Sequence, residues 1–90
     1  MTHQDTVMYL RLKIAGLNAE KLEVLEKIRT LHTYFIVADS REEIEAVLSK
    51  IEEHNLEIKL IETRIKLVHT QIRLSDICHQ INTTLTNLPS

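Results

Sequence analysis

The sequence predicts an all-α fold: a long antiparallel, coiled-coil-like helical hairpin that associates into a bundle, with a dimeric four-helix bundle as the simplest form. Three observations carry this. Apolar residues recur at steps of three and four over two long stretches, as a heptad seam requires. The 90 residues hold one Gly and one Pro, too few turn formers for a many-stranded domain. A second apolar row runs beside each seam, and a lone hairpin can bury only one row per helix.

The stretch from Ser40 to Leu88 has the clearest seam: Ile44, Val47, Ile51, Ile58, Ile61, Ile65, Val68 and Ile72. No Gly or Pro interrupts it before Pro89. The predicted helix covers about 41–87 and is stopped by Leu88-Pro89, with His54-Asn55 as the place for an interruption. Ahead of it, Val7, Leu10, Ile14, Leu17, Val24, Ile28, Leu31, Phe35 and Ala38 keep one phase that only Lys21 breaks. A first helix over about 6–37 follows, preceded by cap-type side chains from Thr2 to Asp5. Gly16 and Asn18 are its weak point, because interior Gly costs about 1 kcal/mol relative to Ala and Asn18 can cap a fresh helix.

Residues 38–40 form the turn, and Ser40-Arg41-Glu42-Glu43 has capping-box form, with Glu42 and Glu43 at the positive end of the second helix. So short a link makes the two helices antiparallel, with facing residue numbers summing to about 78. Ile14 is then expected near Arg64 and Ile65, and Lys21 near Glu57. At about 1.5 Å per residue the helices are roughly 50 and 70 Å long, so the last two or three turns of the second have no partner.

Those turns are not polar. Leu60, Leu67, Leu74, Cys78, Ile81, Leu85 and Leu88, with Ile77 beside them, make a second row offset from the seam by more than a quarter turn. Met8, Ala15, Leu22 and Ile36 flank the first seam in the same way. The expected result is self-association, and Leu60, Leu67, Leu74, Ile77, Cys78, Ile81, Leu85 and Leu88 are the candidate oligomer and partner interface.

A small α/β layer is the alternative: β-α-β-α-β followed by a C-terminal helix. Leu10, Leu12 and Ile14 alternate with Arg11 and Lys13, Thr33 to Val37 is rich in β-formers, and Leu56 to Leu60 alternates again. Strands would then occupy 7–15, 33–38 and 56–60. Tyr9 to Gly16 also resembles the first strand of thioredoxin-like clock proteins, and no residue role follows from so short a match. Phase favours the helices, since nothing would hold Val7 to Ala38 in one register across strand, loop, helix and strand. The Trp-x-Gly turn of one group of secretion-system hairpins is absent, as is the Pro-bounded turn of needle subunits.

Hydrophobic residues make up 43% of the chain, which argues against global disorder. Aromatics make up only 3%, an aliphatic balance that favours long helices. The net charge of −2 gives no general attraction to nucleic acid or anionic lipid. Cys78 is the one cysteine, so no internal disulfide can form, and a reducing cytoplasmic setting is expected. The N-terminal residues lack the pattern of a signal peptide, and no membrane span is expected.

No residue cluster has the spacing of a known chemistry. His3, His32, His54, His69 and His79 never pair at three or four positions, the spacing that sets two imidazoles on one helical face. His54 occupies a seam position. Cys78 sits on the second row as a small hydrophobe, and adjacent His79 points elsewhere on a helix. Hence no catalytic, cofactor-binding or metal-binding residue is assigned. Lys59, Lys66 and Arg73 repeat every seven residues with Arg64 nearby, and these four are candidate phosphate contacts. A solvated charged row is the plainer explanation, with Glu62 placed to pair with Lys66 and no aromatics to stack bases. The favoured function is a non-enzymatic adaptor, assembly subunit or small chaperone that binds itself and another helical protein. Nucleic-acid binding through the basic residues, or an α/β regulatory or ligand-binding domain, are the alternatives.

Overall fold

A computed structural model describes residues 1–88; Pro89, part of the expected stop, lies outside them. Two helices form one hairpin: α1 (His3–Val37) and α2 (Arg41–Thr86), with no strand among the described residues. The α/β alternative is therefore overturned. Its first and third strand ranges, 7–15 and 56–60, lie inside helix, and so does 33–37. A heptad phase that never resets rewards continuous helix, and it outweighs the local β propensity of Thr33 to Val37.

α1 begins three residues earlier than expected. Thr2 Oγ1 accepts from the Asp5 backbone N–H at 3.1 Å, and Asp5 Oδ2 accepts from the Thr2 N–H at 3.3 Å, which completes a capping box. Neither Gly16-Asn18 nor His54-Asn55 interrupts its helix. At the turn, Ser40 caps α2 by accepting from the Glu43 N–H at 3.1 Å. The Glu43 carboxylate accepts from Asp39 N–H at 3.3 Å rather than from Ser40, so the box at this end is shifted by one residue.

Packing follows the predicted seams except beside the turn, where Phe35 and Ile44 are exposed. Leu10, Leu17, Val24, Ile58, Ile61 and Val68 are the buried core, flanked by Ile14, Ile28, Ile65 and Ile72. Lys21, the one charge in the first seam, is half-buried and meets Glu62 Oε1 at 3.7 Å. Glu57 instead lies 3.0 Å from the ring of half-buried His54. The expected Lys21–Glu57 and Glu62–Lys66 pairings are thus replaced by Lys21–Glu62 and His54–Glu57.

The register explains the change. His3 stacks on His79, with ring centroids 4.1 Å apart, so facing residue numbers sum to 82 and not 78. In an antiparallel coiled coil the two kinds of seam position alternate across the interface. The phases of these two seams then allow layers only every seventh sum, and 78 falls between layers. A register of 82 sets Ile14 level with Val68, and it leaves α2 unpaired beyond His79.

The resulting rod measures 78 × 15 × 15 Å, with a radius of gyration of 21.2 Å against about 12 Å for a compact domain of this length. Its core is one layer deep. Even Val68, the most buried residue, remains 3% exposed.

Candidate functional site

A two-helix rod has two long sides, one on each flank of the seam. On one side of α2, from Leu60 to Leu88, lie Leu60, Thr63, Arg64, Leu67, Thr70, Gln71, Leu74, Ile77, Cys78, Ile81, Thr84, Leu85 and Leu88. Arg64 is their one charge. The charges of this stretch otherwise sit on the opposite flank, as Lys59, Glu62, Lys66, Arg73 and Asp76. Thr63 and Thr70 donate their hydroxyls to the carbonyls of Lys59 and Lys66, at 2.9 and 3.0 Å. These threonines need no outside hydrogen-bond partner.

All eight predicted interface residues are exposed, and the leucines Leu60, Leu67, Leu74, Leu85 and Leu88 keep 55–62% of their surface. Beside them α1 contributes the other wall of a groove. Lys13 and Leu17 face Arg64, Leu67, Gln71 and Leu74 across a cavity of about 640 Å³. Toward the open end Tyr9 and Leu10 line its continuation with Leu74 and Cys78. Gly16, between Lys13 and Leu17 in sequence, has open space where a Cβ would go, with nothing within 4 Å.

The two apolar systems of α2 hand over to one another. Past Ile72 the inner seam turns polar, through Ser75, His79, Asn82 and Thr86, where α1 runs out. The outer row continues undiminished through Leu74, Cys78, Ile81, Leu85 and Leu88. Every residue from Asp76 to Leu88 is exposed, and Ile77 to Leu88 includes no Asp, Glu, Lys or Arg. The flanking row of α1, Met8, Ala15, Leu22 and Ile36, lies on the other side of the rod, where Met8 lines a separate groove with Arg11 and Asp76.

The four basic residues divide. Lys59, Lys66 and Arg73 share one exposed row and form no ion pair among the described residues, whereas Arg64 belongs to the leucine groove.

Two features escaped the sequence reading. The tip beside the turn exposes Tyr34, Phe35, Ile36 and Val37 together, a run that reads as β-forming in isolation. At the opposite end the fold gathers histidines that are remote in sequence. His3 Nε2 lies 3.0 Å from Asp76 Oδ1, and its Nδ1 lies 3.3 Å from Ser75 Oγ. The available signal was the seam itself, because His3 stands four positions before Val7 and His79 seven after Ile72.

Ser75, His3 and Asp76 touch in the order of a hydrolytic triad. Ser75 sits in mid-helix, however, where the surrounding backbone N–H groups are engaged in helix bonds, so no oxyanion donor stands beside it. The contacts act as a clasp on the end of α1. Among the described residues no group of three potential ligands is placed to hold a metal ion, and no helix is long and apolar enough to cross a membrane.

Comparison with family models, with curated proteins and with solved structures finds no match to this chain.

Proposed function

We propose that this protein is a non-enzymatic, self-associating helical module, an adaptor or assembly subunit, and that the outer row of α2 is where a second copy docks. The single observation that carries this is surface. The chain exposes 7349 Å², whereas a compact monomer of its mass exposes about 5,400 Å². The excess of about 1,900 Å² exceeds the roughly 800 Å² that each partner contributes to a standard interface. Its densest apolar part is the face from Leu60 to Leu88, where Arg64 is the one charge. Association of two hairpins buries that face and gives the thin core a second layer.

A dimer leaves the Tyr34–Val37 tip and the Met8, Ala15, Leu22 row for another helical protein, which supports the adaptor reading. A reducing compartment such as the cytoplasm suits Cys78, which lies on the docking face as a thiol.

The test is a double substitution, Ile81→Asp with Leu85→Asp. Both residues stand on the unpaired end of α2, so the charges leave the hairpin seam untouched. Sedimentation at tens of micromolar is expected to show a dimer for the unaltered chain and a monomer for the variant, with most helicity retained by circular dichroism. A variant that still associates would refute the assignment of the face, and an unaltered chain that sediments as a monomer would refute self-association.

A further inference from the structure

We infer that the second copy docks antiparallel, about a two-fold axis at the level of Asp76, so that each unpaired C-terminal segment of α2 lies in the other copy's leucine groove. This rests on the self-association proposed above and specifies its geometry.

The outer row is itself a heptad seam. Arg64, Leu67, Gln71, Leu74, Cys78, Ile81, Leu85 and Leu88 follow one another at alternating steps of three and four. In an antiparallel pairing the two kinds of seam position alternate, as they do within the hairpin. The sum of facing numbers then changes in steps of seven. A sum of 138 sets Ile81 and Leu85 against Glu57 and Glu53. A sum of 159 moves Leu67 past Leu88 and out of the pairing, which leaves 145 and 152. The second choice sets Leu67 against Leu85 and Leu74 against Cys78, and it moves Arg64 to the rim opposite Leu88. The first buries Arg64 against Ile81 and pushes Leu88 onto Glu57. Desolvating an unpaired guanidinium is costly, so 152 is favoured.

Charge at the helix end points the same way. The last turn of α2 has no basic residue, and its final carbonyls carry the negative end of the helix dipole. The antiparallel arrangement brings the other copy's Arg64, with Lys13 across the same groove, to that end. A parallel arrangement would stack Arg64 on Arg64 and leave both helix ends without a cation. It would also set the groove between Lys13, Leu17 and Leu67 against the same groove of the other copy, Lys13 facing Lys13, and leave the unpaired turns of each α2 without a groove to enter. In the antiparallel form that groove receives residues 80–88, which include the helical turns 80–86 that have no partner in their own hairpin. Each half of the interface is therefore three helices deep.

Paired cysteines read this geometry directly. Two chains are made, one carrying Leu67→Cys and Cys78→Ser, the other Leu85→Cys and Cys78→Ser, and each is oxidised alone and as an equal mixture. In the proposed dimer residues 67 and 85 of different copies face each other. Two residues 67, or two residues 85, stand about 27 Å apart along the axis, far beyond disulfide reach. The mixture is expected to yield a covalent heterodimer at twice the 10.5 kDa chain mass, and neither chain alone to do so. Covalent homodimers from either chain alone would overturn the antiparallel arrangement. No covalent product from a mixture that sediments as a dimer would overturn this geometry while leaving self-association in place. A monomer in sedimentation, for these chains and for the unaltered one, would overturn both.

Discussion

His3 and His79 lie face to face, with ring centroids 4.1 Å apart and planes 8° from parallel. This contact joins the first turn of α1 to the last paired turn of α2, and it marks where the hairpin ends. Replacing His3 by Ala removes the stack, the Asp76 contact and the Ser75 contact together. The expected cost is about 1 kcal/mol, since the His3 side chain is one-quarter exposed. Hydrogen exchange is expected to quicken at the amides of the first two turns of α1 and to stay unchanged near Val24 and Ile58.

Gly16 lies within α1 with open space where a Cβ would go. Gly16→Ala is therefore expected to add about 1 kcal/mol through helix propensity alone. Thermal melts at one fixed protein concentration would show it as a rise of roughly 4–8 °C. A fall would mean that Gly16 approaches something closer than the hairpin itself supplies.

Lys21 interrupts an otherwise aliphatic seam, and its contact with Glu62 is partly exposed on both sides, at 34% and 46%. Such a pair contributes at most about 1 kcal/mol. Lys21→Leu completes the seam between Leu17 and Val24 and is expected to stabilise the hairpin by about 1 kcal/mol net. Glu62 keeps enough solvent contact to tolerate losing its partner. An increased urea midpoint with an unchanged slope would confirm the gain, and a lower midpoint would show that the ion pair outweighs burial.

Ile61 and Leu12 make a matched contrast in the same molecule. Ile61 is 7% exposed in the core and Leu12 is 67% exposed on the outside of α1. Ile61→Ala is expected to cost about 2–3 kcal/mol, the low end for a core truncation, because a single-layer core leaves solvent close by. Leu12→Ala is expected to stay within about 0.5 kcal/mol. Chemical denaturation of the two variants side by side measures both.

The seams were legible because burial in a coiled coil depends on phase, and phase is written in residue order. From Val7 to Leu31, and from Val47 to Ile72, every seam position is buried or half-buried, including Lys21 and His54. The turn was legible for a similar reason, since Ser40 with Glu43 is a local capping signal. Register was not, because it depends on how two seams mesh across the turn. An error of four residues reassigned the partners of both Lys21 and Glu57. The His3 clasp depends on that register, so it stayed hidden. The early start of α1 was legible in principle, through Thr2 and Asp5, at capping-box spacing.

α2 is a single 46-residue helix with the turn at its beginning. A two-fold axis near Asp76 would set the Asp39 turns of the two copies about 110 Å apart, pointing in opposite directions. The Tyr34–Val37 tips could not then pinch one small target between them. They would instead act as the ends of a strut, joining two separate objects or spanning neighbouring units of a larger array.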